Sequence, residues 1–196
     1  MTHIDNMPHI LKYGITHASS PACNPDYIPI GDGSLIGSRS AFITPAGKIL
    51  GDYIPFYFGG RMPMLYVIQN GYNGVKAIWP ADIVYLVCSI EQIVAHKLPF
   101  MFTDGHAVDH LSEFFGSERL KEIENIVDFA AVKELFWKKE DDLDLKRRKE
   151  AEFLVQGDIP LPAIAGYVVY NEDAKQKLLA LNVAKDKIAV RNNFYF

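Results

Sequence analysis

Apolar positions recur at helical spacing in several parts of the chain. Met7, Ile10 and Leu11 stand at i, i+3 and i+4, with Asp5 or Asn6 available as a cap, Pro8 in the first turn and Gly14 just past the end. That pattern predicts a short amphipathic helix. Met62 to Asn70 reads as a second helix closed by Gly71, and Ile90 to His96 as a third with Ile90, Ile93 and Val94 on one face. Ser112 to Trp137 is helix-like and polar on one side. Asn171, followed by the acids Glu172 and Asp173, opens a helix with Ala174, Leu178 and Leu181 at i, i+4 and i+7.

Other apolar runs have strand length. Ile83 to Cys88 is continuous and predicts a strand buried on both faces. Pro99 to Thr103 predicts a second short strand ending at Asp104-Gly105-His106, and Ala151 to Val155, Ile164 to Tyr170 and Lys187 to Val190 predict three more. Pro55 interrupts the strand-like run Tyr53 to Phe58, which makes that run an edge strand or an irregular extended segment. From Thr16 to Lys48 the chain is rich in Ser, Pro, Gly and Asn, the composition of a binding loop, with Leu35 to Arg39 as a short segment inside it. Strands and helices mix without strict βαβ alternation, so the expected class is α+β in one domain over residues 1–196.

Composition narrows the function. The chain has 196 residues, 49% of them apolar and 22% charged, enough for a substantial core. A formal charge of −4 gives no global basic footprint, so any nucleic-acid contact must be local. Aromatics make up 12%, which serves core packing or a cleft that stacks planar ligands. Cys23 and Cys88 are the only cysteines, and no CxxC or Cys/His cluster exists; reduced thiols and a cytoplasmic protein are expected. No apolar run reaches membrane-spanning length, and Met1 to Asp5 has neither the basic nor the apolar region of a signal peptide. GxxxxGKS, GxGxxG after a strand, GxSxG and HExxH are all absent, so nothing in the chain looks like a kinase, a Rossmann dehydrogenase or a zinc hydrolase.

Some residues stand out against this background. Glu152 lies in an apolar strand, where a carboxylate is costly unless it faces a cleft or a partner. Spacing alone also allows an outward-facing Glu152 paired with Arg148 or Lys149. Arg39 is either a solvated loop arginine or a guanidinium fork for an anionic group. His106 follows a strand end and a turn glycine, a position that presents side chains into clefts. Tyr53, Tyr57 and Met64 are core residues or packing surfaces for a planar ligand. Arg61 is a candidate phosphate contact. Lys146-Arg147-Arg148-Lys149 is a solvated helix end or a strand-guiding patch.

Longer motifs carry a resemblance. Asp52-Tyr53-Ile54-Pro55-Phe56-Tyr57-Phe58, Pro63-Met64-Leu65-Tyr66, Leu98-Pro99-Phe100-Met101-Phe102-Thr103-Asp104 and Ala151-Glu152-Phe153-Leu154-Val155, with Ser38-Arg39-Ser40, resemble the DarT family of toxins. The likeness runs from Thr2-His3-Ile4-Asp5-Asn6 to Asn193-Phe194-Tyr195-Phe196. It implies an ADP-ribosyltransferase fold, a split mixed β-sheet core with flanking helices. It also implies transfer of ADP-ribose from NAD, without a metal, to a base in single-stranded DNA, thymine first and guanine next. By the same resemblance Glu152 and Arg39 are catalytic and His106 meets the nucleotide; with these, His3, Asn6, Arg39, Tyr57 and Met64 are the candidate NAD contacts, and His106, Tyr53, Arg61, Lys146, Arg147 and Arg148 the candidate DNA contacts. The implied partner is a DarG-like macrodomain antitoxin, and the expected state is a monomer away from membranes. DarT-like chains carry a short strand ahead of the Thr-His-Ile-Asp segment; here Met1 stands where that strand would end, so its loss is an expectation too. An ADP-ribosyltransferase acting on RNA or protein, or a non-catalytic NAD- or nucleic-acid-binding module, are the other readings.

Overall fold

A computed structural model describes residues 1–196. In chain order the elements are β1 (Thr2–His3), α1 (Met7–Tyr13), α2 (Gly33–Ala41), β2 (Tyr53–Tyr57), α3 (Pro63–Asn70), β3 (Ile83–Cys88), α4 (Ile90–Ala95), β4 (Phe100–Thr103), β5 (Phe114–Gly116), α5 (Ile123–Ile126), α6 (Phe129–Lys133), α7 (Leu145–Lys149), β6 (Glu152–Gln156), β7 (Ile164–Val169), α8 (Glu172–Ala180) and β8 (Ile188–Val190). Short 3₁₀ turns join several of them. The chain folds into two compact units. Unit 1 comprises Met1–Asp32, Leu65–Leu98 and Gly157–Phe196; unit 2 comprises Gly33–Met64 and Pro99–Gln156. Each contains one four-stranded sheet, ordered β1-β3-β7-β8 in unit 1 and β2-β6-β4-β5 in unit 2. Only β7 and β8 run parallel. The expected α+β class with mixed, split sheets and flanking helices is what the chain adopts.

In unit 1, Met7 and Ile10 of α1 bury against Val84, Ile164 and Tyr167 of the sheet, and Ala174 and Leu178 of α8 complete the same core. Asn171 caps α8 as its spacing predicts, accepting a 2.9 Å hydrogen bond from Ala174 N–H. Asn6 precedes α1 but does not cap it with its side chain. Its amide instead donates to Thr2 Oγ1 at 3.0 Å and to the Ile28 carbonyl at 2.9 Å, and accepts from Ile28 N–H at 2.9 Å. Gly14 ends α1 at φ +81°, and a Cβ there would collide with the Ile159 carbonyl oxygen. Gly14→Ala is therefore expected to cost about 2 kcal/mol or more, since left-handed strain and the clash add; a denaturant melt of the variant reads this. Two expectations in unit 1 are corrected. The strand Ile83–Cys88 is fully buried only at Ile83 and Val84; Val87 is 41% exposed, beside a shift in register. Val94 faces solvent, leaving Ile93 as the buried residue of α4.

In unit 2, β2 is an edge strand and Pro55 is exposed on it, opposite Leu154, so the missing N–H weakens no central ladder. The expected loop from Thr16 to Lys48 contains a nine-residue helix, α2. No residue of α2 is buried, and its Ser38 and Ser40 hydroxyls fold back onto the Ser34 and Ile36 carbonyls. The expected long helix from Ser112 to Trp137 is broken. Phe114–Gly116 pairs with β4 as β5, and Asp128 accepts from Ala130 N–H and Ala131 N–H to start α6 afresh. Cross-strand pairing of Phe114 and Phe115 outweighs the helical pattern there.

Alternation along β6 sorts the sheet of unit 2 into two faces. Phe153 points to one face, where it stacks on Phe100 at 4.8 Å and meets Phe58 edge-on. Leu154 points to the other, in a cluster with Leu50, Tyr53, Met101 and Ala107. Glu152 shares the face of Leu154 and lies at the end of the strand, directly opposite Tyr57 in the β2–β6 register.

Candidate active site

Glu152 begins β6 and is 1% exposed, although it carries a charge. Three groups of unit 2 meet its carboxylate. Arg39 Nη1 donates to Oε2 at 2.7 Å, Ala107 N–H donates to Oε1 at 3.0 Å, and His106 Nε2 lies 3.9 Å from Oε1. The Arg39 and Ala107 donors hold the buried carboxylate in one orientation. The outward pairing of Glu152 with Arg148 or Lys149 is ruled out by where those residues go. Arg148 binds Asp128, Asp142 and Asp144. Lys149 is fully buried, and its Nζ donates to the Val132 and Glu134 carbonyls at 2.9 and 2.8 Å.

Arg39 reaches Glu152 from α2, and its side chain is only 14% exposed. Its second terminal nitrogen, Nη2, is buried and has no hydrogen-bond partner. A buried guanidinium nitrogen left unsatisfied costs free energy, and an acceptor supplied by a ligand removes that cost. The orphan donor fits a polyanionic or hydroxyl-rich ligand arriving beside Glu152.

His106 and Ala107 are placed by a tight turn after β4. His106 N–H donates to the Arg147 carbonyl at 2.9 Å, and Arg147 in turn bonds Asp104 and Asp144. A Cβ at Gly105 would collide with the Arg147 guanidinium and come within 2.7 Å of Ser112 Oγ, so a larger residue there would displace those side chains. Tyr57, opposite Glu152, has its phenol pushed well above the ordinary range, first by burial and then by the charges of Glu152 and Glu150. It is a neutral hydroxyl at any physiological pH.

Glu150 is also buried, at 5% exposure, with Lys146 Nζ at 3.5 Å. Burial pushes its carboxyl above the ordinary range; His106 and Lys146 oppose this, and Glu152 adds to it. The sign follows. Above about pH 4.5 the unfolded chain ionises Glu150 while the folded chain resists, so stability is lost as pH rises through the raised folded value. Glu150→Gln is expected to raise Tm at neutral pH, with the gain vanishing as pH falls below about 4.5. Thermal melts of both proteins across pH check this.

The other predicted site residues have the following surroundings. Tyr53 packs in the core with Leu50, Met101 and Leu154, opposite Gln156 at the far end of β2. Arg61 sits at φ +52°, and its charge bears on buried Lys149. Met64 is half-buried in the first turn of α3. Of the basic run, only Lys146 is exposed, because Arg147 and Arg148 are drawn into internal ion pairs. His3 and Asn6 belong to unit 1, where His3 Nδ1 accepts from Asp5 N–H and Asn6 fastens the Ile28 backbone. Ala107 and Thr103 were not legible as site residues: one contributes only a backbone N–H, and the other is a single hydroxyl at a strand end. No group of three or more His, Cys, Asp or Glu side chains is placed to hold a metal ion. No helix is long and apolar enough to cross a membrane.

A family profile described as "ssDNA thymidine ADP-ribosyltransferase, DarT" matches residues 1–196. The chain belongs to the DarT family. It is 33% identical over 181 residues to the DNA ADP-ribosyl transferase of Escherichia coli O127:H6, covering 91% of this chain and 82% of that protein. Thermus sp. 2.9 DarT in complex with ADP-ribosylated ssDNA superposes with a TM-score of 0.85 at 30% identity, over 100% of this chain and 93% of that one. The same Thermus protein in complex with NAD+ superposes with a TM-score of 0.77, over 100% and 94%. A Thermosipho africanus DNA ADP-ribosyl transferase-DNA ADP-ribosyl glycohydrolase fusion protein is 28% identical over 199 residues, covering 100% of this chain and 48% of that protein. This DarT-family chain is an NAD-dependent DNA ADP-ribosyltransferase, with the buried Arg39–Glu152 pair at the centre of its candidate active site.

Proposed function

We propose that this protein transfers ADP-ribose from NAD to a thymine base of single-stranded DNA and releases nicotinamide. The observation that carries the reading is Glu152, a buried carboxylate fixed by Arg39 and the Ala107 N–H, in a chain that matches a DNA ADP-ribosyltransferase family throughout. The reaction breaks the bond between nicotinamide and ribose C1′ and forms one from a base nitrogen to C1′. The base loses a proton, and nicotinamide leaves with the bonding electrons.

The residues around Glu152 in unit 2 divide the work of that exchange. The sugar gains positive charge as the glycosidic bond stretches, and a fixed anion at Glu152 stabilises it. One carboxylate oxygen can also hold a ribose hydroxyl and receive the proton of the base nitrogen. Arg39 offers its orphan Nη2 to the diphosphate or ribose of NAD. Tyr57, a neutral phenol, and the His106 ring border the carboxylate, Tyr57 as a flat surface beside nicotinamide and His106 toward the acceptor nucleotide. Lys146 is the exposed cation available to a DNA phosphate. Arg147 and Arg148 hold the scaffold through their ion pairs. Single-stranded DNA suits a chain of charge −4, because unpaired bases stack on aromatics without a wide basic face.

Thymine is favoured by the description of the matching family, with guanine the second choice. The partner is a DarG-like macrodomain antitoxin that removes the mark, supported by the fusion of transferase and glycohydrolase in the Thermosipho relative. We further propose that the protein acts as a monomeric toxin of the cytoplasm. Labelled NAD offered separately to single-stranded DNA, duplex DNA, RNA and protein tests the acceptor. Label is expected on thymine-containing single strands; label confined to RNA or protein would overturn the reading.

A further inference from the structure

Thr103 is the last residue of β4 and is fully buried, yet the β4–β6 pairing stops one residue short of it, at Phe102 and Phe153. Its side chain takes over where the backbone ladder ends. Thr103 Oγ1 accepts a hydrogen bond from Glu152 N–H at 3.0 Å and donates one to the Gly105 carbonyl at 2.6 Å. Two residues further on, Ala107 N–H donates to Glu152 Oε1 at 3.0 Å. These bonds close a ring: the backbone of Glu152, the Thr103 hydroxyl, the Gly105 carbonyl, the Ala107 amide, and back to the Glu152 carboxylate.

We propose that Thr103 is a positioning residue for the ADP-ribosyl transfer. Its hydroxyl locks the 104–107 turn to the start of β6, so that the Ala107 N–H engages Oε1 and the Glu152 carboxylate keeps one rotamer. The other oxygen, Oε2, then faces Arg39 and the reacting groups. A hydroxyl is needed because the position calls for a donor and an acceptor at once, inside a space where water does not substitute. Serine supplies both; valine keeps the shape and supplies neither. The turn is already constrained by the His106 N–H bond to Arg147, so loss of the hydroxyl loosens Glu152 rather than unfolding the unit.

The inference rests on the proposed function for its kinetic consequence, and its structural part is measured independently. In Thr103→Val, transfer to a thymine oligonucleotide is expected to lose kcat by about 10- to 100-fold, the scale of one buried hydrogen bond at a catalytic group, with KM for NAD nearly unchanged. Thr103→Ser is expected to retain kcat within about threefold. Amide hydrogen exchange by NMR reads the ring directly: protection of Glu152 N–H and Ala107 N–H falls in Thr103→Val and persists in Thr103→Ser. A Val variant with wild-type kcat, a Ser variant as impaired as the Val variant, or a rise in KM alone would overturn the positioning role. If wild type transfers nothing to any oligonucleotide, the proposed function fails, and the exchange data alone decide whether Thr103 holds Glu152: unchanged protection in Thr103→Val overturns it.

Discussion

Glu152→Gln is expected to lower the transfer rate by about a thousandfold or more while the protein still folds. The size follows from two roles in one group: anionic stabilisation of the sugar and removal of the base proton, each worth about two to three orders of magnitude. Glutamine keeps the shape and one carbonyl oxygen, so the Ala107 N–H retains its acceptor. It removes the charge that Arg39 faces at 2.7 Å. Breaking one side of a buried ion pair costs about 3–5 kcal/mol at full burial, and less here because Arg39 retains some exposure, so a lower Tm accompanies the loss. NAD binding, followed by thermal stabilisation at saturating NAD, is expected to persist. Loss of rate with binding intact separates a chemical role from a collapsed site. Near-wild-type transfer by this variant would remove Glu152 from the mechanism.

Arg39→Ala is expected to reduce kcat/KM for NAD by about 100-fold or more, and Arg39→Lys to recover little of it. The guanidinium does two things at once: Nη1 clamps the Glu152 carboxylate, and Nη2 is buried with no protein acceptor. Lysine is a single point donor on a flexible stem, so it can serve one of these and not both. A charge-assisted hydrogen bond inside a site is worth about 2–3 kcal/mol, which corresponds to the expected loss. The defect should fall on NAD rather than DNA: KM for the oligonucleotide stays close to wild type. Steady-state kinetics with each substrate varied in turn checks this. Full recovery by lysine would mean that only the positive charge matters, and a defect confined to DNA would move Arg39 away from NAD.

Much of the architecture was legible because local signals agreed with the tertiary outcome. Pro55 in an aromatic run narrowed that run to an edge strand or an irregular extended segment, and it is an edge strand; Asn171 with two following acids marked the start of α8, and in both cases backbone chemistry supplies the signal. The helix α2 was not legible. Its glycines and serines argue against helix, and it has no buried face to produce a periodic pattern. The stretch from Ser112 to Trp137 misled in the opposite direction. Its helical spacing is real, but Phe114 and Phe115 are claimed by β4, a partner no local window reveals.

The site divides in the same way. A glutamate inside an apolar strand was a local anomaly, yet spacing alone equally allowed an outward pairing with Arg148 or Lys149, and the family motif around Glu152 is what favoured the cleft. The basic run from Lys146 to Lys149 looked solvated because its acids lie at scattered positions: Asp104, Asp128, Asp142 and Asp144. Asp144 stands at helical spacing from both arginines, but only folding brings Asp104 to Arg147 and Asp128 to Arg148. The Ala107 amide and the Thr103 hydroxyl carry no sequence signal, since their roles come from a turn that brings residues 45 and 49 positions apart into hydrogen-bond range.

The most direct test of the central claim is intact-mass measurement of a thymine-containing single-stranded oligonucleotide after incubation with NAD and the purified protein. The expected result is a gain of one ADP-ribosyl group per strand, matched by an equal amount of released nicotinamide and absent with Glu152→Gln. An unchanged oligonucleotide mass with wild-type protein, or a gain that survives in Glu152→Gln, would contradict it.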